Sequence, residues 1–443
     1  MKGDIKVRRH IRLVAVGLAV LFMMGITPVS AAPKLTFWHG FTQPERIDLM
    51  RKLANEFEKQ HKCKVEIEVV PWAKMDEKWT SAMAAGVLPD VVTVLPDTSL
   101  SMWFAGATQP VDDLIEKLGG RKAFLSERTL TNFFGYDGKP VALPYYAHSR
   151  VLLYRKDLLK AKGLNPPKTW DEYITVSKAL TDAPKSYGMV MCWGKGDWGA
   201  LAVLYPFMRS NGGAFFDKNG NVVFNSPENV EAVKQLVKMY EAGSIKGDLS
   251  LTYHNNIFEL FTGGRTAMTI DTAFMVNTVK QTRPDLYEAD ALGVFYPPFK
   301  KQYGWFADAI GLALMKGKQT DLASKFILFL YETNNYVEFL HTVPAGQYPV
   351  LKVVADSKEF WDNPVIQRYP DAVKITLEGI ANGTPIGFEG GPTPFASLLK
   401  TGLIEEMFHR IVGEGVTPEK AVADAHNELV KLVDAQRARM RTK

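Results

Sequence analysis

The chain has 443 residues, 46% of them hydrophobic, with 53 Lys and Arg against 48 Asp and Glu. That length supplies two domains of ordinary size. Two cysteines, Cys63 and Cys192, exclude a disulfide framework, and the lack of a basic run argues against a nucleic-acid partner.

Residues 1–31 read as a secretion leader. Lys2, Lys6, Arg8, Arg9 and Arg12 form a basic start, and Leu13 to Ile26 an apolar stretch too short for a comfortable membrane span. Val29-Ser30-Ala31 then offer small residues for a cut after Ala31. Loss of this leader removes five basic residues and one acid, leaving 48 against 47, a near-neutral mature chain. No cysteine follows the cut to carry a lipid, so a free periplasmic monomer is expected.

Strand and helix patterns then alternate. Lys34 to Trp38 reads as a strand. Thr42 and Glu45 have capping-box spacing, with Ile47, Met50, Leu53, Ala54 and Phe57 at helical intervals. Lys64 to Val70 alternates as a half-buried strand. Trp79 to Ala85 is helical and stops at Gly86, and Val91 to Leu95 is a buried strand. A second series has a strand at Arg150 to Tyr154, a helix capped by Thr169 and Glu172, and an apolar run from Tyr187 to Trp193. Asp217 to Asn221 is a hairpin turn; its glycine comes too early for a calcium loop. Ser226-Pro227 starts a helix, Thr266 to Ile270 and Leu292 to Tyr296 are strands, and Thr417-Pro418 opens a terminal helix. Such alternation argues for an α/β fold built on parallel strands.

No zinc-protease helix, phosphate-cradling loop or nucleophile elbow is present. The eight histidines are scattered without metal-ligand spacing. Neither catalytic residues, a metal nor a cofactor is expected.

Leu152-Leu153-Tyr154-Arg155-Lys156-Asp157-Leu158-Leu159, continuing to Asn165-Pro166-Pro167-Lys168-Thr169-Trp170-Asp171-Glu172, resembles a signature of family 1 extracellular solute-binding proteins. Phe37-Trp38-His39-Gly40, Gly86-Val87-Leu88-Pro89-Asp90, Gly138 to Pro144, Phe261 to Met268 and Gly346-Gln347-Tyr348-Pro349 follow in the family's order. The resemblance implies a two-lobed periplasmic-binding-protein architecture with mixed sheets and a cleft between discontinuous lobes. The N-lobe would comprise 33–145 plus 300–343 and the C-lobe 149–295 plus 348–443, with crossings near 145–149, 295–300 and 343–348. It also implies a ligand-capturing subunit of an ABC importer, with a membrane permease as partner and no enzymatic activity.

Aromatic residues at strand ends suit a neutral mono- or oligosaccharide, whose apolar ring face lies flat on an aromatic while its hydroxyls need polar partners. Trp38 and His39 end the first strand. Trp193 and Trp198 bracket a glycine-rich loop and would form a stacking platform. By resemblance, Asp97 matches a hydroxyl-binding carboxylate, His148 a polar contact at the first crossing, and Phe274, after Asp271, a stacking aromatic. Tyr145, Trp305 and Tyr348 lie at or beside the crossings. Trp72 is assigned to packing, and Phe395 either to the cleft or to pinning of the tail. Two alternatives stay open: the same fold holding glycerol phosphate, a polyamine or ferric iron (the last through Tyr145-Tyr146), or a secreted carbohydrate-active enzyme.

Overall fold

The computed structural model describes residues 32–441 apart from 136, 195–198, 249–252 and 318. The leader expected over 1–31 and Trp198 lie outside the described residues. The strands are β1 (Lys34–His39), β2 (Lys64–Val69), β3 (Val91–Val94), β4 (Leu143–Arg155), β5 (Tyr187–Cys192), β6 (Ile245–Asp248), β7 (Thr266–Thr272), β8 (Leu292–Phe295), β9 (Ala307–Leu314) and β10 (Tyr348–Pro349).

Each strand's residue pattern explains its place. In β2, Val65, Ile67 and Val69 are half-buried and alternate with exposed Lys64, Glu66 and Glu68. That pattern belongs on an edge, and β2 is one. In β3 every residue is buried, and it lies between β1 and β9. The strand order is β2-β1-β3-β9-β4-β7-β5-β6, with β8 and β10 also paired to β4. Parallel pairs at both ends (β1 with β2 and β3; β5 with β6 and β7) flank an antiparallel middle. Strand β4 holds the two parts together. Its first half, Leu143–Ser149, pairs with β9, and its second half, Arg150–Arg155, with β7 and β8. Its residues are buried or half-buried throughout.

Local chemistry sets the helix starts. Thr169 and Glu172 form the expected capping box on the helix Trp170–Leu180. Ser226 caps Pro227–Glu241 by accepting from the Asn229 N–H. The box expected from Thr42 and Glu45 does not form. The helix Pro44–His61 begins one residue later, with Gln43 at its cap and Pro44 in its first turn. Proline's missing N–H is no loss there. The helix expected at Trp79 already starts at Trp72.

Side chains collect into two large cores and a smaller one. The first gathers β1, β3, β9 and the first half of β4, with Phe57, Phe326, Tyr336 and Phe339. The second gathers Leu152, Trp193, Tyr205, Phe207, Phe408 and Leu429. The third lies along Val151, Leu153, Met275 and Trp305. Val350, Leu351, Val354 and Phe360, expected with the second lobe, have their side chains in the first core. The helix Pro370–Asn382 straddles the division, with Val373 and Ile380 in the first core and Ala372 and Ile375 in the third. Cys63 and Cys192 are buried and are not joined in a disulfide. Among the described residues no helix is long and apolar enough to cross a membrane.

Candidate functional site

A cleft of about 820 Å³ opens where the two large cores meet at β4. That volume falls within the ~300–1,000 Å³ of small-molecule sites. Its floor follows from strand parity. Between Pro144 and Tyr146 the β4–β9 register shifts, leaving Tyr145 outside the ladder. An extra residue of this kind turns the following side chains to the opposite face. Tyr146, His148 and Arg150 therefore share one face, and His148 lies opposite Asp308 and Tyr146 opposite Ile310. All five line the cleft.

Trp72, Asp76 and Asp97 contribute one wall, and Phe258, Phe274, Phe388 and Lys400 the other. Two glycines make this geometry possible. A Cβ on Gly40 would fall 2.4 Å from Trp72 Cε2, and one on Gly346 would fall 2.8 Å from Phe274 Cα. Any larger residue would push those aromatics away from the cleft.

Charges in the cleft are mostly neutralised in place. Arg150 Nη1 donates to Asp271 Oδ1 at 2.9 Å, with both side chains nearly inaccessible. Lys400 bonds Asp97 Oδ2 at 2.7 Å, joining segments 303 positions apart. Burial pushes the Asp308 carboxyl up to about 7, although Lys400 favours its charged form. Burial, then Arg150 and Arg46, hold His148 down to about 3, so it is neutral at physiological pH. Several buried polar atoms lack partners among the described residues: both amide atoms of Gln347, Asp271 Oδ2 and Arg46 Nε. All three residues line the cleft. An unmade hydrogen bond at a buried group costs about 1–3 kcal/mol, so these atoms fit a solute bearing hydroxyls.

Of the residues expected at the site, Asp97, His148, Asp271 and Phe274 line the cleft. The others that are described are held elsewhere. Trp38 packs in the first core, with Lys78 Nζ 4.6 Å from its ring. His39 is fully buried between Phe37 and Phe41 and accepts from the Phe41 N–H, and burial drops its pKa to about 4. Tyr145, the bulged residue, stacks on Tyr336 and Phe339, and its hydroxyl reaches Leu330 O at 3.4 Å. Trp193 is fully buried against Phe408, with ring centroids 4.9 Å apart. Trp305 joins Tyr296 and Tyr303 in the third core's aromatic group. Tyr348 is buried, its hydroxyl bonded to Ala345 O at 2.8 Å. Trp72, assigned to packing, is at the cleft. Phe395 pins the tail, lying in the second core beneath Arg437. Tyr146 lines the cleft and Tyr145 does not, so the two phenols do not present a joint iron site there. Among the described residues no group of three His, Cys, Asp or Glu is placed to hold a metal.

The family model for bacterial extracellular solute-binding proteins matches residues 43–335, more than half of the chain. The chain belongs to that family. It is a solute-binding protein of the ABC-transporter kind, not an enzyme. It is 25% identical over 411 residues to the sn-glycerol-3-phosphate-binding periplasmic protein UgpB of Shigella dysenteriae serotype 1 (strain Sd197), covering 86% of this chain and 87% of that one. Two solved structures share its fold. One is an ABC transporter solute-binding protein from Thermotoga lettingae TMO bound with alpha-D-tagatose (TM-score 0.77, 20% identity, 90% of this chain and 99% of that one). The other is maltose-bound T. maritima MalE3 (TM-score 0.75, 22% identity, 90% and 100%). The solute-binding protein therefore has the α/β periplasmic-binding-protein fold with a mixed sheet.

Proposed function

We propose that this solute-binding protein captures a carbohydrate or related polyhydroxylated solute in the cleft and delivers it unchanged to the membrane permease of an ABC importer. The observation that carries the reading is the joint supply, in one cleft, of aromatic side chains and unpartnered buried polar atoms. Trp72, Tyr146, Phe258, Phe274 and Phe306 offer apolar faces. Gln347, Asp271 and Arg46 offer donors and acceptors that no other described residue uses. A sugar ring with its hydroxyls complements both sets.

On this reading the lobes are the bodies around the two large cores, with residues 350–366 joining the first. They would close on the solute by bending at β4 and at the neighbouring crossings. The leader would place the mature protein in the periplasm as a free monomer. A thermal-shift screen against sugars, polyols, amino acids and polyamines tests the proposal, since a ligand of the folded state raises Tm by mass action. Shifts with sugars or polyols are expected. Shifts confined to amino acids or polyamines would overturn the carbohydrate assignment.

A further inference from the structure

Arg46 differs from the other cations of the cleft. Arg150 is paired with Asp271 and Lys400 with Asp97. Arg46 lines the same cleft, is 4% exposed, and makes no ion pair among the described residues. A guanidinium stays protonated in proteins, so its charge is buried without a counter-ion. Three ring faces partly compensate: Phe41, Tyr146 and Phe339 lie 5.0, 5.3 and 5.5 Å from its central carbon. Ring faces, however, leave N–H donors unspent. Nη1 donates to Gln43 Oε1 at 3.2 Å, the guanidinium also hydrogen-bonds the Tyr146 hydroxyl, and Nε has no acceptor among the described residues. Arg46 also stands in the first turn of an 18-residue helix, where the backbone dipole adds positive potential.

We propose that the solute carries an acidic oxygen group, a carboxylate or a phosphate, and that Arg46 binds it. This rests on the solute-binding reading above. It departs from the neutral sugar expected from composition, because near-neutrality of the whole chain says nothing of one buried charge. Planar guanidinium and carboxylate or phosphate oxygens pair through two parallel hydrogen bonds, which use the donors that the rings cannot. The remaining cleft charges tolerate such a guest. Two of the four carboxylates are already paired, Asp76 accepts from Thr98 and Trp79, and burial lowers the charge on Asp308 by raising its pKa to about 7.

Calorimetric titration of the full protein with matched sets tests this. Suitable sets are D-glucose, D-glucuronate and D-glucose 6-phosphate; the galactose equivalents; and glycerol with glycerol 3-phosphate. In at least one set an acid should bind tenfold or more tightly than its neutral parent, and its affinity should fall as salt rises. A uronate ahead of the phosphates identifies a carboxylate guest; the reverse order identifies a phosphate. Arg46→Gln should erase the acid's advantage over its neutral parent, whatever it costs the parent, and Arg46→Lys should restore part of that advantage. The salt dependence holds the test if the variants fail to fold. Neutral parents binding as tightly as their acids would overturn the acidic-guest inference and leave the carbohydrate reading intact. An acid advantage that survives Arg46→Gln would overturn the role of Arg46. Binding by no member would remove both readings.

Discussion

The ends of β1 and β5 contrast with the middle of β4. Both ends carry aromatic residues, Trp38-His39 and Trp193, and both are closed over: His39 and Trp193 are wholly buried and Trp38 nearly so. The middle of β4 carries Tyr146, His148 and Arg150 on one face, and that face is the cleft floor. In an open parallel sheet the ligand sits beyond the strand ends. Here the antiparallel middle, shared between two packed bodies, presents a strand face instead. The lesson is that the crossing strand, more than the outer strand ends, positions the site.

The largest expected effect falls on the closed ends. Trp193→Ala should destabilise folding by about 3–5 kcal/mol, as for other large-to-Ala core changes, while solute affinity per folded molecule stays within about threefold. Urea denaturation and calorimetry measure the two effects separately. A stable variant that no longer binds would restore Trp193 to the site and break the contrast. Asp271→Ala sharpens the comparison from the other side. It removes the buried counter-ion of Arg150, a change that typically costs about 3–5 kcal/mol, and the cleft should also lose solute affinity.

These contrasts show which features were legible in the sequence. Signals confined to a few residues came through: the Thr169–Glu172 box, the alternation of β2, the Ser226-Pro227 start, and the alternation of strands with helices that specifies the fold class. Apart from the Thr42–Glu45 box, displaced by the helix start at Pro44, what failed depended on distant or parity-changing structure. The bulge at Tyr145 reverses which tyrosine faces the cleft, and no local pattern announces it. Arg46 reads as an ordinary helix residue until Tyr146 and Phe339, remote in sequence, close around it. Lys400 meets Asp97 only through the fold, and Gln347 is orphaned only by its neighbours. Strand-end tryptophans looked like ligand platforms because the sequence does not show which helices cover them.

A smaller effect concerns pH. The Asp308 pKa is about 7 in the fold, above its ordinary value of 3.8. Between those values the folded state binds more protons than the unfolded one, so this group's contribution to stability declines as pH rises from about 4 to 7. Lys400 and Arg150 oppose that shift and Asp97 reinforces it. His148 and His39, lowered to about 3 and about 4, act in the other direction: their contribution is lost as pH falls below about 6.5. Asp308→Asn should therefore gain more stability relative to the parent at pH 8 than at pH 4.5, as measured by urea midpoints. Equal gains at both would place Asp308 in a water-like setting, outside the cleft described.

The smallest effect belongs to the Lys400–Asp97 pair. With Lys400 44% exposed but Asp97 only 11% exposed in its side chain, Lys400→Met should cost about 1–3 kcal/mol, because it leaves a mostly buried carboxylate without its partner. A loss well above that range would mean that this bridge, more than the β4 floor, holds the two bodies together.

The central claim is that the β4 face binds the solute. Titration of the parent and of Tyr146→Ala and Tyr145→Phe variants with the solute giving the largest thermal shift tests it most directly. The account predicts at least a tenfold loss of affinity for Tyr146→Ala and almost none for Tyr145→Phe. Undiminished binding by Tyr146→Ala, with loss in Tyr145→Phe, would contradict it.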